Sequence, residues 1–263
     1  MLRSGYQIKN IKGFLIGRLV RLYPAYIIAS VAALSMWYGA ALTTNNEGEW
    51  PSFSLIQVIS NIFLICDFTN TDWLITIAWT LAIEAQFYLL IALFFPLAFS
   101  SNNWIRRLAM ALWIMAPIMA GKGPTVLTWT ALFSLGMIVC QWKSRMIGWP
   151  EFAIMVAAAF YAHAEVYSQT QSFVGITTMC AIAFLPQIKF SRMTKIGVIS
   201  YSLYLIHNNI AGPILHFSKS LPDLLWIRLS TLVLSVTISI AVASIFYRLI
   251  EKPSHALSLS LIH

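Results

Sequence analysis

Apolar residues fall into nine blocks along the chain, at positions 22–42, 52–66, 79–99, 108–121, 125–142, 152–168, 172–188, 196–217 and 225–250, separated by short polar or charged intervals. None of the blocks alternates polar with apolar residues, as the strands of about 9–11 residues in a membrane barrel do. The blocks therefore predict helices. A helix needs about 20 residues, with a range of about 17–25, to cross a bilayer. Blocks 52–66 and 108–121 fall short of that, and length alone leaves both undecided. No fixed-period repeat, low-complexity tract or long linker interrupts the chain, so the pattern predicts one domain over residues 1–263.

The charges between the blocks decide the count. If 52–66 does not cross, the other eight blocks alternate so that Arg3, Lys9, Lys12, Arg18, Arg21, Arg106, Arg107, Lys143, Arg145, Lys189, Arg192, Lys195, Arg248 and Lys252 share one side, with Lys122, Lys219 and Arg228 on the other. An excess of Lys and Arg marks the cytoplasmic side. If 52–66 does cross, the Arg106–Arg107 pair and every later cluster change sides. The expectation is an all-α, polytopic transmembrane helical bundle of about eight spans with both termini cytoplasmic, and 52–66 as a short re-entrant or interfacial segment. The outer loop "TTNNEGEWP" agrees, carrying acid and no base. Gly136, Gly175 and Ala241 are small enough to let neighbouring helices approach.

Composition fits this reading and excludes others. The chain is 59% hydrophobic and 10% charged, against about 45–50% apolar residues in an ordinary soluble domain. The net charge of +8 is spread over loops, and no basic run supports nucleic-acid binding. Cys66, Cys140 and Cys180 stand apart with no C-x-x-C spacing, so neither a metal centre nor redox chemistry is expected. The first apolar block outruns the core of a signal peptide and predicts a retained signal anchor.

Polar residues inside or beside the apolar blocks are the candidates for chemistry. In "GRLVRLYPAYIIAS", residues 17–30, Arg18 and Arg21 stand three apart and share a helix face. Pro24 lacks an amide hydrogen and is best tolerated in a first turn, so the membrane helix is expected to restart there, with Tyr23 and Tyr26 at headgroup depth. The arginine pair reads either as an anchor to lipid phosphates or as a site for a phosphorylated cytoplasmic ligand, since guanidinium forks bind phosphate bidentately. In "WTLAIEAQFYLL", residues 79–90, Glu84 lies within a span, where an acid costs about 2.5–3.5 kcal/mol on insertion scales. It either ties helices together or serves function. In "GVISYSLYLIHNN", residues 197–209, Ser200, Tyr204 and His207 fall at helical spacing and Tyr201 adds a further hydroxyl. His207 reads as a helix–helix hydrogen bonder or as a catalyst. His163, near Glu165, reads mainly as the former.

These stretches, in this order, resemble the acyltransferase 3 family of bacterial membrane O-acyltransferases. "RLVRLYPAY" is similar to the family's R-R-x-x-R-[IL]-Y-P-x-[YW] loop, "WTLAIEAQFYLL" to its W-S-L-x-x-E-x-x-F-Y-L-L helix, and "ISYSLYLIH" to its I-S-Y-S-x-Y-L-x-H helix. The terminal "FYRLIEKP" looks like the closing [LF]-x-E-[KR]-P. The resemblance implies transfer of an acyl group, acetyl in the first instance, from cytoplasmic acyl-CoA to a hydroxyl of a cell-surface glycan or glycolipid, at the bacterial inner membrane. Acyl-CoA is then a co-substrate, and no cofactor or metal is implied. Arg18 and Arg21 would bind the CoA phosphates and Glu84 and His207 would be catalytic, with Tyr23, Trp79, Ser200, Tyr201 and Tyr204 lining the cavity or holding its walls.

Two departures carry expectations of their own. Gly17–Arg18 stands where the family pairs two arginines, so one phosphate contact is expected to be missing. The family carries an R/K-x10-H motif on its first span, whose histidine is its proposed general base, and this chain is expected to start beyond it. The expectation is a chain shortened by two spans, with impaired activity. The competing reading from the buried titratable groups alone is a multi-pass transporter or flippase.

Overall fold

A computed structural model describes residues 11–43, 53–185 and 196–260. Helices dominate, and no strand occurs among the described residues. The expectations for Arg3, Lys9, Lys189, Arg192 and Lys195, and for most of the acidic outer loop, lie outside them.

All nine apolar blocks are helical over most of their described residues. The helices are α1 (Ile11–Thr43), α2 (Leu55–Phe63), α3 (Cys66–Thr69), α4 (Trp79–Ala98), α5 (Asn103–Ala120), α6 (Thr130–Lys143), α7 (Trp149–Val166), α8 (Gln169–Phe184), α9 (Ser200–Phe217), α10 (Leu225–Phe246) and α11 (Lys252–Ser260). Among the described residues, three helical stretches are long and apolar enough to cross a membrane by length and composition: Ile11–Gly39, Thr76–Ala98 and Leu225–Ser260.

Block 52–66 breaks in two. Ser54 starts α2 by accepting a hydrogen bond from the Gln57 amide, and Leu64 ends it in the left-handed region at φ 58°. At 1.5 Å per residue, nine residues reach roughly 14 Å, under half the ~30 Å hydrocarbon core. Leu64 accepts a backbone region that costs a branched residue about 1–2 kcal/mol, and its side chain is buried in return. Neither glycine nor proline marks this break.

The expected restart at Pro24 does not occur. Helix α1 runs unbroken through it. The proline removes only its own bond to the Val20 carbonyl, a loss that membrane helices tolerate when neighbouring helices supply packing and partners. Of the three small residues expected at helix crossings, only Gly175 serves: a Cβ built there would lie 2.6 Å from Leu132 on α6. Gly136 faces open space and Ala241 is exposed.

The chain divides into two compact units. Residues 83–185 form one, a set of helices in which α5, α6, α7 and α8 pack pairwise. Its interior includes Met110, Trp113, Ile138 and Ala162. Residues 12–82 and 196–260 form the other. Here α9 packs along α10, which turns the small residues Ser235, Ser239 and Ala243 inward at four-residue spacing. Buried Tyr26 of α1 donates to the Asn61 carbonyl of α2 at 3.0 Å. The Asn61 side chain donates to the Gln57 and Asp72 carbonyls and accepts from the Leu74 amide, which fixes the path from α2 to α4.

Candidate active site

The unit of residues 12–82 and 196–260 brings three of the four motif stretches, and the first residues of the fourth, together around α9. The first turn of any helix leaves amide hydrogens without intrahelical acceptors, and Ile199 at the cap of α9 supplies none. Glu251 does so from the far end of the chain. Its carboxylate accepts from the Ser202 amide at 3.1 Å and from the Ser202 hydroxyl at 2.5 Å. Both residues are buried, and an acid at a helix N-terminus also meets the positive end of the helix dipole. Glu251 reaches this place from a π turn, Tyr247–Glu251, that joins α10 to α11. Pro253, next but one, has no amide hydrogen to continue the regular ladder.

Tyr201 and Tyr204 tie α9 to two other motifs. The Tyr201 hydroxyl donates to the Leu22 carbonyl at 2.9 Å, between Arg21 and Tyr23. The Tyr204 hydroxyl donates to the Ile77 carbonyl at 3.0 Å and also bonds the hydroxyl of Thr80 in the first turn of α4.

His207 stands one turn beyond Tyr204, the two rings 6.2 Å apart. Its Nδ1 lies 2.8 Å from the Tyr204 carbonyl and 3.2 Å from that of Leu203. Carbonyl oxygens only accept, so Nδ1 carries a hydrogen, and in the neutral form of the ring Nε2 presents a lone pair. The ring is half-buried. A neutral imidazole held in this tautomer by its own helix is equipped to take a proton at Nε2.

The remaining predicted residues fall as follows. Arg18 and Arg21 lie half-buried on α1, with the Arg18 guanidinium 5.4 Å from the Phe14 ring centre. Tyr23 packs edge-on against Tyr26. Trp79, the first residue of α4, and Ser200, the first of α9, are exposed. The serine of "ISYS" that enters the packing is Ser202, two residues on.

Glu84 belongs to the other unit. It is half-buried and accepts a hydrogen bond from Tyr88, one turn along α4. In the same unit, fully buried His163 sits with Nδ1 2.8 Å from Ser172 Oγ. The Ser172 hydroxyl donates to the Ser168 carbonyl, so Nδ1–H donates to Ser172. The imidazole stacks on Tyr167 at 5.3 Å, a packed, interhelical histidine.

Sequence reasoning misses Ser202, Thr80, Asn61 and Glu251. Glu251 was within its reach: Ile199 cannot cap α9, so an acceptor has to come from elsewhere, and "IEKP" offers an acid.

A family model described as an acyltransferase domain, that of acyltransferase 3, matches residues 1–248. The chain belongs to the acyltransferase 3 family. Its enzymatic class follows, and an acyltransferase acts on an acyl donor and an acceptor. Together with the three long apolar helices, the match makes this acyltransferase 3 protein a membrane acyltransferase. The transporter reading does not share that support. No curated protein and no solved structure matches the chain.

Proposed function

We propose that this protein transfers an acyl group, acetyl in the first instance, from cytoplasmic acyl-CoA to a hydroxyl of a cell-surface glycan or glycolipid, across an inner-membrane bundle of about eight spans with both termini cytoplasmic. The observation that carries the chemistry is His207, whose Nδ1 is committed to carbonyls of α9, so that in the neutral ring the basic lone pair falls on Nε2. The acceptor oxygen attacks the thioester carbonyl as its proton passes to Nε2. The C–S bond then breaks, and the departing CoA thiolate recovers that proton, leaving ester and free CoA. A placed base of this kind typically contributes about 10²–10⁴-fold.

Arg18 and Arg21 bind the phosphates of CoA in this scheme. Two guanidinium groups one turn apart match a pyrophosphate, and arginine forks give bidentate, charge-assisted bonds. The Tyr201–Leu22 bond supports the assignment, because it couples the arginine turn to the helix that carries His207. Glu84, a membrane-embedded acid in the other unit, keeps its catalytic role in this reading from its motif alone. Tyr23, Trp79, Ser200, Tyr201 and Tyr204 line the cavity or hold its walls.

The test uses membranes carrying the protein, radiolabelled acetyl-CoA, and label counted in the glycan and glycolipid fractions. His207→Asn keeps an amide donor near the position of Nδ1 and removes the base. It should leave the amount of inserted protein unchanged and lower kcat by about 10²–10⁴-fold. The double variant Arg18→Ala, Arg21→Ala should raise KM for acetyl-CoA with a smaller change in kcat. Transfer by His207→Asn within about threefold of the wild type, far short of a base's usual contribution, would remove His207 from the mechanism.

A further inference from the structure

A second site lies in the unit of residues 83–185. Between α5 and α7 a cavity of about 490 Å³ is walled by Ala111 and Ile114 on one side and by Ile154, Met155 and Ala158 on the other. That volume falls in the range of small-molecule pockets, roughly 300–1,000 Å³. Its walls are apolar except at one end, where Arg107 and Glu151 meet. On α5 the lining runs from Arg107 to Met115, about 12 Å at 1.5 Å per residue. The small side chains of Ala111 and Ala158 leave the space open.

The polar end is asymmetric. Arg107 donates from Nε and Nη2 to the two carboxylate oxygens of Glu151, each at 3.0 Å. This fork uses two of five guanidinium hydrogens, and the Arg107 side chain remains half exposed. Each carboxylate oxygen keeps a further lone pair, but the Glu151 side chain is only 20% exposed against 51% for Arg107, and Nη1 and its two hydrogens have no hydrogen-bond partner among the described residues. The pair carries no net charge, and its more accessible valence is the guanidinium donor edge, which suits a phosphate better than an ammonium group.

We propose that this groove is a phospholipid site, with one acyl chain between α5 and α7 and the lipid phosphate on Nη1 of Arg107. The proposal rests on the eight-span reading, in which residues 108–121 and 152–168 cross the bilayer and Arg107 and Glu151 both stand at the same headgroup level. An oily slot ending in the exposed donor edge of a guanidinium at that depth is complementary to a phospholipid in shape and in hydrogen bonding. A lipid held there would fill the space between two helices that otherwise leave it empty, so it acts as a structural ligand of the bundle.

The experiment extracts the full-length protein in mild detergent with equimolar phosphatidylethanolamine and phosphatidylglycerol, then weighs it intact by native mass spectrometry. The wild type should retain one phospholipid. Filling the slot with Ala111→Trp plus Ala158→Trp should lower the retained fraction by about tenfold, and Arg107→Gln, at the exposed rim, should do the same through the lost charge-assisted bond. Glu151→Gln frees Arg107 and should raise retention. Retention unchanged in the tryptophan variant, or Arg107→Gln and Glu151→Gln shifting it in the same direction, overturns the proposal. So does replacement of the phospholipid by palmitoyl-CoA when both are offered. Labelling of the Ile154→Cys variant by a membrane-impermeant maleimide in intact membranes would instead strike the eight-span reading. Protection of that thiol from the maleimide, with no lipid retained, would strike the groove alone.

Discussion

Glu251→Ala is expected to be among the most damaging single changes in the α9 unit that touch no reacting group. The carboxylate accepts two hydrogen bonds from Ser202, and each bond to a charged partner contributes about 1.5–3 kcal/mol. Alanine removes both and leaves the buried Ser202 amide without an acceptor in the first turn of α9. The Ser202 hydroxyl regains part of this by turning back to its own helix, as serines in helices commonly do. The net loss is then about 2–4 kcal/mol. Glu251→Gln keeps an oxygen for the amide and should lose about 1–2 kcal/mol. Pairing Glu251→Ala with Ser202→Ala isolates the hydroxyl bond and should give a coupling of about 1–2 kcal/mol. The assay is reversible unfolding in mixed micelles, followed by far-ultraviolet circular dichroism as the fraction of denaturing detergent rises. Additivity within about 0.3 kcal/mol, or equal losses for the alanine and glutamine variants, would refute the capping argument.

Three further outcomes follow from the same geometry. Tyr204→Phe removes the bonds to Ile77 and Thr80 and should lower stability by about 1–2 kcal/mol in the same micelle titration, with Tyr201→Phe, which loses one bond, nearer to about 1 kcal/mol. Asn61→Ala should lower it by about 2–4 kcal/mol, and Asn61→Asp should not rescue it, because an acid accepts from Leu74 but cannot donate to the carbonyls of Gln57 and Asp72. The bidentate bond from Arg107 holds the Glu151 carboxyl below its ordinary range; a depressed folded value contributes stability that is present above the unfolded value and disappears as pH falls through the folded one. Thermal unfolding of the wild type should therefore weaken below the usual glutamate range, and Arg107→Gln should flatten that part of the profile.

The chain's pattern was a good guide to where helices lie and a poor one to how they end and meet. Each apolar block announces a helix because nothing but an internally bonded backbone suits a long greasy run. The break at Leu64 escapes such reading because it depends on a buried leucine compensating a left-handed backbone, with no glycine to signal it. The run through Pro24 escapes it for the opposite reason: one missing amide bond weighs less than continuous packing. At the site, spacing put Tyr204 and His207 on one stripe and motif order brought α1 and the start of α4 toward α9. The 49-residue reach from Ser202 to Glu251 and the proton on Nδ1 of His207 were hidden. Both depend on which acceptor stands opposite a donor in three dimensions.

The 33 residues of α1 measure about 50 Å, some 20 Å more than the hydrocarbon layer takes up. The surplus has to stand in water or among headgroups, and the end that carries Lys12, Arg18 and Arg21 is the polar one. A phosphorylated molecule arriving there can be gripped while still hydrated. On the reading proposed above, multiple negative charges are then never asked to enter oil, and only a small neutral acyl fragment needs to travel inward.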